Sequence, residues 1–153
     1  MPTEDISLYR HHIGCDINTL VAEVYDLVKD VTKCPQVSSR VKDLETLRKK
    51  MVLKNTHDIF SIDDVYGIRI IVTSIDEVYA VLERISRVFE GFLDHDYFKN
   101  AKACPSVDGK FLRLVQFVAY KNKVPFEVQV TTASCHETNE SLHARYHRRK
   151  YGS

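Results

Sequence analysis

Apolar residues return every three to four positions from Ile17 through Leu20, Val21, Val24, Leu27 and Val28 to Val31. That period predicts an amphipathic helix beginning at Asp16. It should end near Cys34-Pro35, because proline restricts the residue before it. Residues 1–15 are polar and unperiodic and read as a short helix or an irregular arm. Val37–Val41 is a short extended segment. Leu44, Leu47 and Met51 form a narrow stripe, predicting a second helix from about Asp43, its N-cap, to Lys54. A wider stripe of Ile75, Val78, Val81, Leu82, Ile85, Val88 and Phe89 predicts a third helix. Ser74 and Glu77 form its capping box, and Gly91 suits its far end.

Strand patterns fill the rest. Asp64–Val72 has five β-branched residues among nine and reads as a central strand. Residues 92–98 suggest another strand, and 99–110 a loop rich in turn residues. Phe111–Tyr120 and Val124–Thr131 predict a hairpin across Lys121-Asn122-Lys123. In its second run Phe126, Val128 and Val130 alternate with Glu127, Gln129 and Thr131. A last helix runs from Ala133 to about Lys150. The expected fold is one α/β (α+β) domain, a mixed β-sheet of about five strands flanked by helices. The domain proper is placed at 16–153, behind an N-terminal arm at 1–15.

Composition narrows the class. A length of 153 residues suits one domain, and 44% hydrophobic with 28% charged residues is ordinary for a globular chain. Nothing approaches the apolar run of a membrane span, and the N-terminus has no basic region followed by an apolar core. A net charge of +1 selects no nucleic-acid partner. Cys15, Cys34, Cys104 and Cys135 are dispersed without a C-x-x-C pair, so reduced thiols are expected rather than a zinc site or disulfide framework. His143 and His147 lie one helical turn apart, but without H-E-x-x-H they read as a polar face.

Two acids occupy strand positions, Asp64 at a strand mouth and Glu127 on a polar strand face. Two carboxylates from neighbouring strands could serve Mg²⁺, which takes one or two and fills its octahedron with water and phosphate oxygens. The same pattern fits a half-solvated strand with Glu127 facing water. Arg40, Lys42 and Lys50, with Thr46, could clamp phosphate oxygens; a solvated helix face would look alike. The C-terminal Arg145, Arg148, Arg149 and Lys150 carry the same ambiguity. Jointly, paired acids and basic clusters suggest metal-assisted chemistry on polyphosphates. The chain has no Walker A sequence and no G-x-G-x-x-G, which removes support for P-loop and Rossmann readings.

The order and spacing of these residues resemble the synthetase domain of RelA/SpoT-type alarmone enzymes, over about residues 36–150. Arg40-Val-Lys42-Asp-Leu-Glu-Thr46-Leu-Arg-Lys-Lys50 is similar to the family's donor motif, Asp64-Val-Tyr-Gly67-Ile-Arg69 to its metal-strand motif, and Glu127-Val-Gln129-Val-Thr-Thr132 to its hairpin-strand motif. Asp96-Tyr97, His136, Glu140 and His143-Ala-Arg-Tyr146 match further positions. The resemblance implies a nucleotidyltransferase-like fold and an ATP-dependent pyrophosphokinase. Arg40, Lys42, Thr46, Lys50 and Arg69 would bind ATP, Asp64 and Glu127 would hold Mg²⁺ and carry catalysis, and Glu127 would be the general base. Lys102, Gln129, His143, Arg145 and Arg148 would meet the acceptor. The family's acceptor loop departs here: Lys110 stands at the position of the guanine-stacking Tyr, and Leu112 and Leu114 at its Ser and His. That departure favours an adenine over a guanine nucleotide acceptor and suits a toxin-like member. Such a member would act in the bacterial cytoplasm, delivered as an excised domain of a larger secreted protein, with a neutralising immunity or antitoxin partner. No membrane is implied, and nucleic acid enters only as tRNA. The alternatives are a tRNA 3′-end pyrophosphokinase and an inactive nucleotide-binding or partner-binding module.

Overall fold

The computed structural model describes residues 2–100, 102–103, 111–136 and 139. Helices α1 (Pro2–Ile13) and α2 (Ile17–Val28) lead into strand β1 (Gln36–Val41), helix α3 (Leu44–Leu53) and a 3₁₀ turn at Ile59–Ser61. Strand β2 (Tyr66–Val72), helix α4 (Ile75–Val88) and strand β3 (Glu90–Asp96) follow. Two short strands, β4 (Lys102–Ala103) and β5 (Phe111–Leu112), pair with each other, and β6 (Val115–Lys121) and β7 (Val124–Thr132) form a hairpin.

The main sheet has five strands in the order β1-β2-β7-β6-β3. Only β2 and β7 run parallel; the other pairs are antiparallel. This is the mixed sheet that the sequence predicts. One face is apolar: Ile68, Ile70, Phe126, Val128, Val130 and Ala119 are all buried. Against it pack Leu20, Val24 and Val28 of α2 and Val78, Val81 and Ile85 of α4, fully buried as their stripes demand. Each such aliphatic side chain contributes about 1.5–3 kcal/mol relative to exposure.

Of the two readings for residues 1–15, the structure has the helix. Tyr9 and Ile13 of α1 are fully buried, with the Tyr9 hydroxyl donating to the Pro125 carbonyl and its ring edge-on to Tyr66 at 4.9 Å. Helix caps follow the sequence: Asp16, Asp43 and Ser74 each accept from a backbone N–H three residues on. The β6–β7 turn places Asn122 and Lys123 at φ 51° and 65°, the two left-handed residues of a tight hairpin.

Several boundaries differ. Helix α2 stops at Val28, whose carbonyl accepts from both Val31 and Thr32 as the chain tightens into turns. Val31 and Thr32 still pack inward, so the apolar period outlasts the helix. Gly91 lies inside β3 opposite Ala119 rather than at a helix end. A Cβ there would come within 2.1 Å of the Val118 carbonyl, so close strand approach requires the glycine, and Phe89 caps α4. The predicted strand Phe111–Tyr120 is broken at Arg113–Leu114. Residues 133–136 and 139 are helical, and the remainder of the predicted last helix lies outside the described residues.

The other sheet face carries the candidate chemistry in two cross-strand rows. Arg40, Gly67, Glu127, Val118 and Phe92 lie side by side, as do Ser38, Arg69, Gln129, Gln116 and His95. Neighbouring strands are about 4.8 Å apart, so Arg40 and Glu127 stand roughly 10 Å apart with Gly67 between them.

Candidate active site

Asp64 sits in a turn two residues before β2, not at the first strand position. The turn is tied to the end of β1 by a hydrogen bond from Lys42 N to the Val65 carbonyl at 2.9 Å. That tie brings the Lys42 Nζ to 3.0 Å from Asp64 Oδ2. Helix α3 starts immediately afterwards at its Asp43 cap and carries Lys50 Nζ to 2.7 Å from Asp64 Oδ1. Each carboxylate oxygen therefore holds one ammonium group. The Lys42 side chain is only 5% exposed and that of Asp64 14%. Burial alone would push the Asp64 carboxyl up; Lys42 and Lys50 outweigh it and hold the group below its usual range. Burial lowers Lys42 in turn, against the opposing pull of Asp64.

Glu127 behaves in the opposite way. Burial, and then the negative charge of Asp64, push its carboxyl up to about 7. Gln129, two residues along the same strand face, donates from Nε2 to Glu127 Oε1 at 2.9 Å. One site thus contains a carboxylate fixed in the charged form and another poised to exchange a proton near neutral pH, a combination typical of functional sites.

Arg40, Asp64, Arg69, Glu127 and Gln129 line a cleft of about 290 Å³, with Ser38, Ser39, Gly67 and Ile68 completing its walls. Basic groups gathered on a concave surface raise the local concentration of polyanions. The structure therefore brings together Arg40, Lys42, Lys50, Asp64, Arg69, Glu127 and Gln129 of the residues expected from sequence. Thr46 is placed differently. It is buried, its hydroxyl donates to Asp43 Oδ2 at 2.9 Å, and it serves the helix cap rather than the cleft wall. Of Lys102 only the backbone, in β4, is described; Glu140, His143, Arg145 and Arg148 lie outside the described residues. Asp96 shapes the neighbouring segment, accepting from Tyr79 Oη at 2.7 Å and from the backbone N–H groups of Phe98 and Lys99. His136 lines a smaller recess of about 40 Å³ that shares Arg69 and Gln129 with the cleft.

Sequence reasoning missed Ser38 and Ser39, which carry no motif and reach the cleft only through the β1–β2 register. It noticed Gly67 but not its use. The cleft floor between Arg40 and Glu127 is bare there, and a Cβ would meet only the Arg40 carbonyl at an ordinary 3.8 Å. Gly67→Ala should therefore leave thermal stability within about 0.5 kcal/mol of wild type. The methyl group would take up space on the cleft floor, and loss of about 1.4 kcal/mol of binding weakens the affinity for a ligand seated there on the order of tenfold. Thermal unfolding and binding titrations with a nucleoside triphosphate check the two halves of this prediction.

Several solved structures share this architecture. Small alarmone synthetase 2 from Bacillus subtilis is 18% identical, with 99% of this chain and 82% of that chain covered at a TM-score of 0.69. Small alarmone synthetase 1 from Bacillus subtilis, solved bound to its product pppGpp, is 18% identical over 86% of this chain and 72% of that one, with a TM-score of 0.62. The type VI effector Tas1, solved in complex with its immunity protein, is 18% identical over 89% and 75%, with a TM-score of 0.53. At these identities the likeness is one of fold. No curated protein sequence matches the chain. The family model described as the region found in RelA / SpoT proteins matches residues 39–151, from the serine beside Arg40 to beyond the last helix start, and the chain belongs to that family.

Proposed function

We propose that this chain is a pyrophosphokinase that moves the β,γ-pyrophosphoryl group of ATP to the ribose 3′-hydroxyl of a purine nucleotide. The observation that carries this reading is the pairing, in one basic cleft, of lysine-clamped Asp64 with Glu127 poised near neutral pH. Family membership and the family's synthetase folds support the same chemistry.

The donor set fits a divalent cation. Asp64 is held fully charged, Glu127 lies close enough to feel that charge, and hard oxygen ligands of this kind suit Mg²⁺. Asp64 and Glu127 would hold the ion, which when bound would neutralise developing charge on the phosphates. Lys42 and Lys50, now on Asp64, are the groups a triphosphate would recruit, and Arg40 and Arg69 flank the same cleft. Thr46 caps the helix that presents Lys50 and would stand beside it at the ATP phosphates. Glu127 accepts the proton of the 3′-hydroxyl as that oxygen bonds to the β-phosphorus. The bond from the β-phosphorus to the α–β bridging oxygen breaks, and AMP leaves. Gln129 orients Glu127 through its hydrogen bond.

Lys110, where the family places a stacking Tyr, favours an adenine nucleotide as acceptor. Lys102, His143, Arg145 and Arg148 remain candidate contacts for its phosphates. The fold likeness to Tas1 supports a toxin role with an immunity partner, acting on nucleotides of a bacterial cytoplasm. The unit carrying the activity would be 16–153, with α1 packed upon it. The test incubates the chain with ATP, Mg²⁺ and each of AMP, ADP, GDP, GTP and tRNA. Chromatography should show one nucleotide gaining two phosphates, adenine before guanine. Label transfer into RNA alone would move the reading to a tRNA 3′-end enzyme, and no transfer to any acceptor would remove it.

A further inference from the structure

Asn139 is buried at 6% exposure in the wall of the smaller recess. Its amide is fully engaged. Oδ1 accepts from Arg113 N at 2.9 Å, while Nδ2 donates to the Arg113 carbonyl at 2.8 Å and to Thr131 Oγ1 at 3.1 Å. Thr131 Oγ1 itself donates to the Arg113 carbonyl at 2.8 Å. The last ladder pair of the β6–β7 hairpin is Val115 with Val130. Beyond it, the Asn139 side chain takes the place of a strand neighbour and pairs with the Arg113 main chain as a peptide group would. On the opposite side, Tyr97 N donates to the Leu114 carbonyl at 2.8 Å. Arg113–Leu114 is therefore pinned from two directions where the chain returns to the sheet.

Thr131 lies two residues past Gln129, and Gln129 holds Glu127. The Asn139 clamp thus sets the distance between the Arg113–Leu114 wall and the Glu127–Gln129 edge. Donor phosphates belong on the β1–α3 side of Glu127, where Lys42 and Lys50 are. The β6 side, bounded by Leu114, Gln116 and Asn139, is left for the acceptor.

We propose that Asn139 is a positioning residue for the acceptor side of the cleft, governing acceptor affinity and not ATP affinity. This rests on the pyrophosphoryl-transfer reading above. Asn139→Ala removes the clamp. Asn139→Asp keeps its shape and its acceptor for Arg113 N, but loses the Nδ2 donor and sets a carboxylate oxygen against the Arg113 carbonyl. The acceptor KM, measured with whichever of AMP, ADP, GDP, GTP or tRNA wild type extends, should rise on the order of tenfold in Asn139→Ala through the lost hydrogen bonds. It should rise at least as far in Asn139→Asp. The affinity for the ATP analogue AMPCPP, by calorimetry without acceptor, should stay within about twofold, less than one neutral hydrogen bond is worth. Thr131→Val, which cuts one arm of the clamp, should give a smaller rise of the same kind and serves if the Asn139 variants unfold. An aspartate variant that behaves like wild type, or a parallel fall in kcat and AMPCPP affinity, would overturn the proposal. A wild-type chain that extends no acceptor removes the parent reading and this one with it; an active wild type with unchanged acceptor KM in the variants removes this one alone.

Discussion

Glu127→Gln is expected to abolish product formation while making the folded chain more stable above neutral pH. The activity loss follows from the proposed role of Glu127 as the base that takes the acceptor hydroxyl's proton; general-base catalysis supplies on the order of 10²–10⁴-fold. The stability gain follows from linkage. The Glu127 carboxyl is raised from 4.5 to about 7 on folding, by burial and then by Asp64. Between those values the folded chain keeps a proton that the unfolded chain has released. Stability from this group is therefore greatest below the unfolded value and falls as pH rises through the folded one. At about 1.36 kcal/mol per pH unit, the wild-type handicap above pH 7 is on the order of 3 kcal/mol. Glutamine carries no charge and avoids it, while it can still accept from Gln129. Denaturant titrations of the two proteins at acidic and mildly alkaline pH should diverge only in the latter, with transfer activity lost at both. Equal stability at every pH would mean that Glu127 is not held near neutrality, and full turnover by the variant would remove it as the base.

Asp64→Ala has the second large effect, and it acts on fold and function together. Lys42 and Lys50 approach the two Asp64 oxygens at 3.0 and 2.7 Å in a site little exposed to water. Truncating the shared carboxylate removes the one acid that both ammonium groups contact at these distances and leaves Lys42, the more deeply buried, facing the positive charges of Lys50 and Arg40. Breaking a buried ion pair from one side costs about 3–5 kcal/mol. Adding Lys42→Met should recover most of that stability, because it removes the charge stranded deepest. It should not recover activity: if Asp64 holds the proposed Mg²⁺, losing several kcal/mol of charge stabilisation corresponds to about 10³-fold in rate. Electron paramagnetic resonance of Mn²⁺ in the presence of AMPCPP should show tight binding by wild type and loss in both variants. Retained Mn²⁺ binding by Asp64→Ala would place the ion elsewhere.

Local chemistry made much of this legible. The stripe from Ile75 to Phe89 and the cap at Ser74 specify α4 because the helix obeys its own period and packs one face. The Phe126–Thr131 alternation predicts which side of β7 is dry, and so puts Glu127 and Gln129 on the open face. What sequence could not supply was register. That Arg40, Gly67 and Glu127 form one row depends on how three strands slide against each other, one of them 60 residues from the next. The lysine clamp on Asp64 arises from a turn, a strand end and a helix meeting, and the spacing that suggests Thr46 as a phosphate ligand is also that of a cap partner, the contact it makes with Asp43. The run Phe111–Tyr120 read as one strand because Leu112, Leu114 and Val115 keep it apolar; the break is imposed by Asn139 and Thr131, which take the Arg113 main chain out of the ladder.

In the proposed reaction two phosphates move as one group. Phosphorus NMR of a reaction with ATP, Mg²⁺ and the mixed acceptors tests it most directly. AMP should form in equal amount with a product whose new diphosphate carries both the β- and γ-phosphorus of ATP, and neither should form with the Glu127→Gln protein. Accumulation of ADP with orthophosphate, or of free pyrophosphate with a nucleotidylated product, would contradict it.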